Sequence, residues 1–206
     1  MRIGIIGAGC MGRAIAHRAA LSGAAVLLAD RSSGKARRAA AEAMAGTSGR
    51  VTPTTVAAAL RPGLVMLALD HDEALELATA HAATLTGKVL VDMSVPTRPD
   101  PAVSALEKLS HAVPEARWVK AFATADAEAV FMGEVDGQVV DVFVASDDDH
   151  AKVDVVEFVD RSGLRAFDAG GTDSARALEE MARLGREISE RLMLARSWSY
   201  KLLPGW

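Results

Sequence analysis

A glycine-rich turn close to the amino terminus carries the clearest chemical signal in the sequence. Residues 7–12 form a GxGxxG pattern that follows a short apolar run, 2–7, and opens a helical pattern. In such a strand–turn–helix unit the first glycine permits a tight turn, the second lets backbone amides approach a pyrophosphate, and the third lets the helix pack on the strand. The unpaired amides of the helix N-terminus attract phosphate groups. We therefore predict a dinucleotide-binding loop that consists of Gly7, Gly9, Cys10, Met11 and Gly12.

An acidic residue, Asp30, follows the second predicted strand, 24–29. A carboxylate about 20 residues after the glycine loop accepts hydrogen bonds from the ribose hydroxyls of NAD and repels the 2'-phosphate of NADP. The residues that follow it argue the other way, because Arg31, Ser32, Ser33 and Lys35 could hold that phosphate. The two cations could equally form a solvated helix entrance. The sequence thus predicts binding of NAD(H) or NADP(H) and leaves the choice open.

The elements that must position this loop alternate between apolar runs and Ala-rich helical runs, which is typical of a mostly parallel sheet. The predicted strands are 2–7, 24–29, a weak strand near Val51, 63–69, 88–92, 117–122, 139–145 and 164–167. The predicted helices are 11–22, 35–45, 55–60, 72–83, 103–109, 148–161 and 174–195. We therefore predict an α/β fold of the doubly wound Rossmann type, as a single NAD(P)-binding domain over 1–206 that includes a C-terminal helical extension and tail, 174–206.

The composition argues against several other classes of protein. Basic and acidic residues number 23 and 27, are interspersed and give a net charge of -4, so no basic stripe for nucleic acid is expected. The longest apolar runs, such as 64–69 and 139–144, are strand-sized and too short to span a membrane.

The first strand begins at Arg2, so we expect no signal peptide. Cys10 is the single cysteine, so we expect no intramolecular disulfide framework. Both observations lead us to predict a cytoplasmic protein. The five histidines are scattered, so no metal site is expected.

Nearly the whole chain resembles one family, the NADPH-dependent reductases of the deazaflavin coenzyme F420. The matching stretches are MRIGIIGAGCMGRAIA at the start, VLVDMSVP at 89–96, WVKAFAT at 118–124, VFVASDDD at 142–149, GLRAFDAGGTDSARALE at 163–179 and the closing SYKLLPGW. The resemblance implies that hydride passes directly between a nicotinamide and a deazaflavin that stack at the carboxyl ends of the sheet. Such a transfer needs close placement of two rings more than acid or base groups.

Three departures from the family pattern keep other functions open. Val95 stands where the family commonly has Asn, and Ala123 where it often has Asn. The family typically has a Ser-Arg clamp for the 2'-phosphate where this chain has Asp30-Arg31-Ser32. One alternative is an NAD(P)H-dependent reductase of a small imine or carbonyl metabolite, with His71 or Tyr200 as proton donor. Another is a dinucleotide-binding sensor or assembly partner without catalysis.

Ligands of open α/β sheets bind outside the carboxyl ends of the strands. The residues that directly follow the strands are therefore further candidates for contact with the dinucleotide and for proton transfer in catalysis. His71 follows the fourth strand, and histidine is the most common side chain in general acid–base catalysis, so we predict it as the catalytic residue. The alternative is a helix N-terminal histidine that faces water. The dinucleotide contacts predicted at these strand ends, beside Asp30, Arg31 and Ser32, are Leu69, Asp70, Ser94, Val95 and Pro96.

The predicted substrate residues are Lys120, Phe122, Thr124, Gly170 and Gly171. Lys120 ends a buried run, so it reaches a phosphate or an acidic substrate, or it pairs with Asp92, which we favour because buried charges are nearly always paired. Phe122 and Thr124 are predicted to line the cleft of the hydride acceptor, although Phe122 could simply belong to the core. The paired glycines leave room for a flat ligand, or they form a helix-entrance turn.

The last predicted helix, 174–195, suggests self-association. Its apolar residues form one stripe: Ala177, Met181, Leu184, Ile188 and Leu192. We predict that this stripe packs on the sheet and on a second subunit, with Trp198 and Tyr200 in the interface. The expected assembly is a homodimer.

Overall fold

The computed structural model describes residues 1–98, 100, 102–194 and 197–203. Its strands are β1 (Arg2–Ile6), β2 (Ala25–Ala29), β3 (Arg50–Thr54), β4 (Leu64–Leu67), β5 (Val89–Asp92), β6 (Arg117–Lys120), β7 (Glu134–Val135), β8 (Gln138–Val139), β9 (Asp141–Val144) and β10 (Arg165–Asp168). Its helices are α1 (Cys10–Leu21), α2 (Ser33–Met44), α3 (Val56–Ala59), α4 (His71–Ala80), α5 (Ala82–Leu85), α6 (Ala105–Ala112), α7 (Ala127–Met132), α8 (Asp149–Arg161) and α9 (Ala175–Arg191).

Six parallel strands form the central sheet in the order β3-β2-β1-β4-β5-β6. The chain runs outward from β1 in one direction and then, from β4, in the other, so the order reverses between β1 and β4. This arrangement confirms the predicted doubly wound fold. The point of reversal opens a crevice at the carboxyl ends of β1 and β4, where such sheets bind their ligands.

Two apolar layers cover the sheet, because successive side chains of a strand point to opposite faces. Ile3 and Ile5 belong to one buried cluster with α1, α2 and α8, whereas Ile6 and Leu67 belong to the other with α4 and α6. Alanine supplies much of both layers, which lets the helices approach the sheet closely.

The sheet differs from the prediction beyond β6. The predicted strand 139–145 is divided: β8 forms a short antiparallel hairpin with β7, and β9 pairs in parallel with β10. The β9–β10 pair adjoins β6 through an antiparallel bridge between Lys120 and Ala145. The six-residue helix α7 was not predicted; it is held by Asp126, whose side chain accepts a hydrogen bond from the amide of Glu128.

Several predicted boundaries were too long. The strand predicted over 117–122 ends at Lys120, because the backbone of Phe122 adopts a positive φ of 62°. The helix predicted over 174–195 follows a 3-10 turn at Thr172–Ser174 and ends at Arg191. Its predicted last residue, Ala195, lies outside the described residues. Within the part of the chain that the structure describes, no helix is both long and apolar enough to cross a membrane.

A buried carboxylate, Asp141, holds the C-terminal tail against the sheet. It accepts two hydrogen bonds from Arg165, at 2.8 and 2.7 Å, one from Lys201 at 3.0 Å and one from the amide of Leu202 at 2.8 Å. Burial alone would raise the pKa of Asp141, but the hydrogen bonds from Arg165, Leu202 and Lys201 bring its pKa below the ordinary value.

Replacement of Asp141 by asparagine is expected to lower Tm by roughly 3–10 °C, since it removes charge-assisted hydrogen bonds. A carboxyl whose pKa is depressed in the folded state stabilises fully above the unfolded value of about 3.9, and this stability is lost as the pH falls through the lower folded value. The difference in Tm between the wild type and Asp141→Asn should therefore be constant above about pH 5 and shrink below about pH 4. Asp149→Asn, at an exposed position, serves as the control and should change Tm little.

Candidate active site

The glycine loop joins β1 to α1 as the sequence predicts, and its three glycines meet different constraints. Gly7 has a φ of 100°, and a Cβ atom there would lie 2.1 Å from the carbonyl oxygen of Ala68. A Cβ at Gly12 would lie 1.8 Å from the carbonyl oxygen of Gly7. A Cβ at Gly9 would meet no atom of the described residues within 4 Å. The first and third glycines are therefore required by the fold, whereas the second leaves open space above the loop.

Asp30 closes this loop from the end of β2. One carboxylate oxygen accepts a hydrogen bond from the amide of Ala8 at 2.9 Å, and the other accepts one from the amide of Ser32 at 2.9 Å. The ammonium group of Lys35 lies 3.6 Å away. Burial would raise the pKa of Asp30, but these amides and Lys35 lower it below its ordinary value, so the group is an anion at neutral pH.

The side chains after Asp30 are already engaged. Arg31 donates to the carboxylate of Glu73 on α4. The hydroxyl of Ser32 accepts from the amide of Lys35 and caps α2. A 2'-phosphate at this position would therefore have to draw Arg31 away from Glu73.

A cavity of about 720 Å³ opens above the loop. Its volume lies in the range of small-molecule sites. It is lined by Ile6, Gly7, Gly9, Cys10, Met11, Asp30, Arg31, Lys35, Val56, Ala68, Leu69, Asp70, Glu73, Glu76, Leu77, Ala80, His81, Met93, Ser94 and Arg186. The cavity thus runs from the glycine loop to the ends of β4 and β5.

The structure brings nine of the nineteen predicted site residues together around this cavity: Gly7, Gly9, Cys10, Met11, Asp30, Arg31, Leu69, Asp70 and Ser94. Gly12 and Ser32 lie beside it as parts of α1 and of the α2 cap. Val95 and Pro96 are half-buried just beyond Ser94 and do not line it. Their predicted contact with the dinucleotide stays a prediction.

His71 is the first residue of α4 and is 8% exposed. Its burial contradicts the alternative that it faces water. Its Nδ1 atom is buried and has no hydrogen-bond partner among the described residues, and the side chain does not line the cavity. Its catalytic role therefore stays a prediction that the cavity geometry does not favour.

Lys120 forms a fully buried ion cluster instead of lining the cavity. Its ammonium group lies 2.7 Å from the carboxylate of Asp92 and 2.9 Å from that of Glu179, and it also donates to the carbonyl oxygen of Ser94. Asp92 in turn accepts from the amide of Ser94 at 2.9 Å. The structure shows the favoured interpretation, the pairing of Lys120 with Asp92. The other interpretation, contact with a substrate phosphate, is corrected, because Lys120 does not line the cavity. Lys120 fixes the loop after β5 and ties it to α9.

The other predicted substrate residues also lie away from the cavity. Phe122 is 1% exposed and packs edge-on against Phe158, so the alternative that it belongs to the core is correct. Thr124 is 1% exposed, and its hydroxyl has no hydrogen-bond partner among the described residues. Gly170 and Gly171 form the turn before α9, where the amide of Thr172 donates to Asp147. This is the helix-entrance alternative for the glycine pair.

Sequence reasoning missed two contributors to the cavity. One face of α4 carries Glu73, Glu76, Leu77, Ala80 and His81. Their spacing is that of one helical face, but this pattern could equally have packed on a neighbour. Arg186 comes from α9, far along the sequence, and no local pattern points from it to the glycine loop.

The C-terminal aromatics pack on their own chain. The hydroxyl of Tyr200 donates to the carbonyl oxygen of Met181 at 2.9 Å, and the ring of Trp198 covers Gly185, where a Cβ would lie 2.3 Å from it. Both residues are half-buried within the chain. Their predicted place in a subunit interface stays a prediction. Trp206 lies outside the described residues.

Residues 2–96 match the model of a protein family described as NADP oxidoreductase, coenzyme F420-dependent. This match covers the glycine loop, Asp30 and the ends of β4 and β5. Over these residues it confirms the resemblance inferred from the sequence, and the matched family is one of oxidoreductases with NADP(H) as cofactor and coenzyme F420 as co-substrate. No curated protein matches the chain.

Solved structures show the same fold along nearly the whole chain. A protein from Arthrobacter sp. FB24, provisionally described as an F420-dependent NADP reductase, is 24% identical with a TM-score of 0.80, over 98% of this chain and 99% of that one. A hypothetical protein from Sinorhizobium meliloti is 23% identical with a TM-score of 0.72, over 85% and 87% of the two chains. An imine reductase from Bacillus cereus BAG3X2 is 21% identical with a TM-score of 0.65, and this chain covers 62% of its length. At these identities the likeness concerns the fold.

Proposed function

We propose that this protein transfers hydride between NAD(P)H and a deazaflavin of the coenzyme F420 type. The observation that carries the proposal is the open space over Gly9, which continues into one cavity that ends at Leu69, Met93 and Ser94. A dinucleotide with its pyrophosphate over Gly9 would place its nicotinamide at these strand ends. The family match over residues 2–96 supports the nature of both ligands.

Each part of the site has a task in this reaction. The amides at the start of α1 hold the pyrophosphate, and Asp30 meets the adenosine ribose. The ion cluster of Lys120, Asp92 and Glu179 fixes the loop that carries Ser94 beneath the nicotinamide. With both ligands bound, the reduced nicotinamide would supply a hydride to the deazaflavin ring, and solvent would supply the proton that completes the reduction. The protein therefore contributes placement of the two rings rather than a proton donor.

The competing reduction of an imine or carbonyl compound would need a proton donor in the cavity. His71 does not line the cavity, and the hydroxyl of Tyr200 is engaged with Met181. Burial also raises the pKa of Tyr200. Neither of the two predicted proton donors is therefore placed for the imine or carbonyl reaction.

The test is a spectrophotometric assay of the purified protein with oxidised coenzyme F420, first with NADPH and then with NADH. Loss of the deazaflavin absorbance that depends on the protein and on one nicotinamide is expected. Dinucleotide binding without bleaching would contradict the proposal and would favour a small-molecule reductase or a non-catalytic sensor. Turnover of an imine with Gly9→Ala as the inactive control would distinguish these two.

We propose further that Glu73 sets the preference between the two dinucleotides by competing for Arg31. Glu73→Gln should free Arg31 for a 2'-phosphate and lower the Kd for NADPH about two- to fivefold, since exposed ion pairs are worth little. The Kd for NADH should stay unchanged. Glu76→Gln is the matched control, because Glu76 lines the same cavity from the next turn of α4. Calorimetric titration of both variants checks the prediction; equal effects on NADPH and NADH would refute it.

A homodimer through α9 is also part of the proposal. Leu184 and Ile188 on α9 and Leu192 directly after it are spaced four residues apart, with exposed fractions of 46, 39 and 63%. Such a row of exposed apolar side chains on one helix face is suited to packing on a second copy. Light scattering after gel filtration should give twice the mass of the chain, and Ile188→Glu should give the mass of one chain.

A further inference from the structure

Arg186 differs from its neighbours on α9. Arg183 pairs with Glu180 and Glu187, and Arg191 pairs with Glu187, so these cations are neutralised along the helix. Arg186 forms no ion pair with any carboxylate of the described residues, and it lines the cavity. An uncompensated guanidinium at a cavity wall attracts an anion.

The cavity contains two other cations, and both are engaged. Arg31 pairs with Glu73, and Lys35 pairs with Asp30. Among the described residues that line the cavity, Arg186 is therefore the cation that is available to a ligand. Arg186 is far from the glycine loop in sequence, so it adds to the cavity from a different part of the chain.

The part of α9 that carries Arg186 is held on both sides of this residue. Glu179, on the same helix, lies 2.9 Å from the ammonium of Lys120 and accepts from the amide of Ala105 at 3.1 Å. Arg186 follows Glu179 by seven residues, which is about two turns, so both side chains leave the same face of the helix. The ring of Trp198 packs on the adjacent Gly185. These contacts hold this part of α9 beside the cavity that Arg186 lines.

We propose that Arg186 binds an anionic group, a phosphate or a carboxylate, that the hydride acceptor carries outside its reacting ring. The inference rests on the proposed hydride transfer and adds the acceptor's chemical class to it. Ser94 and Met93 line the same cavity at the end of β5, where the two rings would meet. A guanidinium is suited to this task, because its fork of donors matches two oxygens of one anion. Recognition of the acceptor would then be divided between a ring platform at the strand ends and a charge on α9.

The experiment compares coenzyme F420 with its truncated form, the deazaflavin with only a ribityl chain, which has the same ring but no phosphate or glutamate. In Arg186→Gln the KM for coenzyme F420 should rise about 10- to 100-fold with kcat nearly unchanged, since a charge-assisted hydrogen bond is lost. The KM for the truncated deazaflavin and the Kd for NADPH should stay at the wild-type values. Arg186→Lys should recover part of the loss. Arg183→Gln, on the same helix but outside the cavity, is the matched control and should behave as the wild type.

The outcomes separate this inference from the proposed function. An equal rise in KM for both deazaflavins, or no rise for either, would overturn the role of Arg186 while the hydride transfer itself stands. A weaker Kd for NADPH alone would assign the anion to the dinucleotide and also overturn the proposal. A wild-type protein that neither binds oxidised coenzyme F420, by fluorescence titration, nor reduces it would overturn both.

Discussion

Replacement of Gly9 by alanine is expected to leave the fold intact and to weaken dinucleotide binding by roughly 10- to 100-fold. Gly9 has a φ of -75°, which alanine adopts readily, and the added methyl group would meet no atom of the described residues within 4 Å. The space that it fills is the space that a pyrophosphate needs. The Tm of Gly9→Ala should equal that of the wild type, while calorimetric titration with NADPH shows the loss.

Gly12→Ala is the contrasting variant. Its methyl group would lie 1.8 Å from the carbonyl oxygen of Gly7, so α1 would have to move away from β1. We expect this variant to lose stability as well as binding. If Gly9→Ala bound NADPH as tightly as the wild type, the dinucleotide could not lie over the loop, and the proposed site would be wrong.

Replacement of Lys120 by methionine is expected to cost about 3–5 kcal/mol of stability, because it leaves the carboxylates of Asp92 and Glu179 buried without their cation. For a chain of this length such a loss corresponds to a fall in Tm of roughly 6–20 °C. It would also release the loop at Ser94 and the N-terminal part of α9. Urea unfolding followed by circular dichroism measures the loss.

Two further variants give this prediction its controls. Lys108→Met removes a partly exposed ion pair with Asp100 and should cost less than about 1 kcal/mol. Combining Lys120→Met with Asp92→Asn and Glu179→Gln removes the uncompensated charge and should restore part of the stability. A Lys120→Met protein as stable as Lys108→Met would show that the ion cluster does not hold the strand ends together.

The dinucleotide half of the site could be predicted from the sequence because its signals are local. The glycine loop and the first strand are adjacent in the chain, and Asp30 follows at the spacing that one crossover imposes. The structure confirms that Asp30 meets the loop, through the amide of Ala8. The parallel order of the sheet was predictable for the same reason, since each strand is followed by a helix that returns the chain.

The part of the site that we propose for the hydride acceptor could not be predicted in the same way. Arg186 reaches the cavity only because Glu179, one member of a buried cluster, fixes α9 over the strand ends. Lys120 was expected either to bind a ligand or to pair, and its two carboxylates come from β5 and from α9, far apart in sequence. The end of β6 was misplaced because a positive φ at Phe122 is a tertiary feature, imposed on a residue that ordinarily favours strands.

The central claim, direct hydride transfer from a nicotinamide to a deazaflavin, is tested most directly by isotope transfer. The protein would be incubated with oxidised coenzyme F420 and NADPH that carries deuterium at C4, in the pro-R and the pro-S form in separate samples, and the reduced deazaflavin analysed by mass spectrometry. We predict one deuterium at C5 of the product from one of the two forms and none from the other. Reduction that leaves no deuterium in the product with either form, or no reduction with either form, would contradict the account.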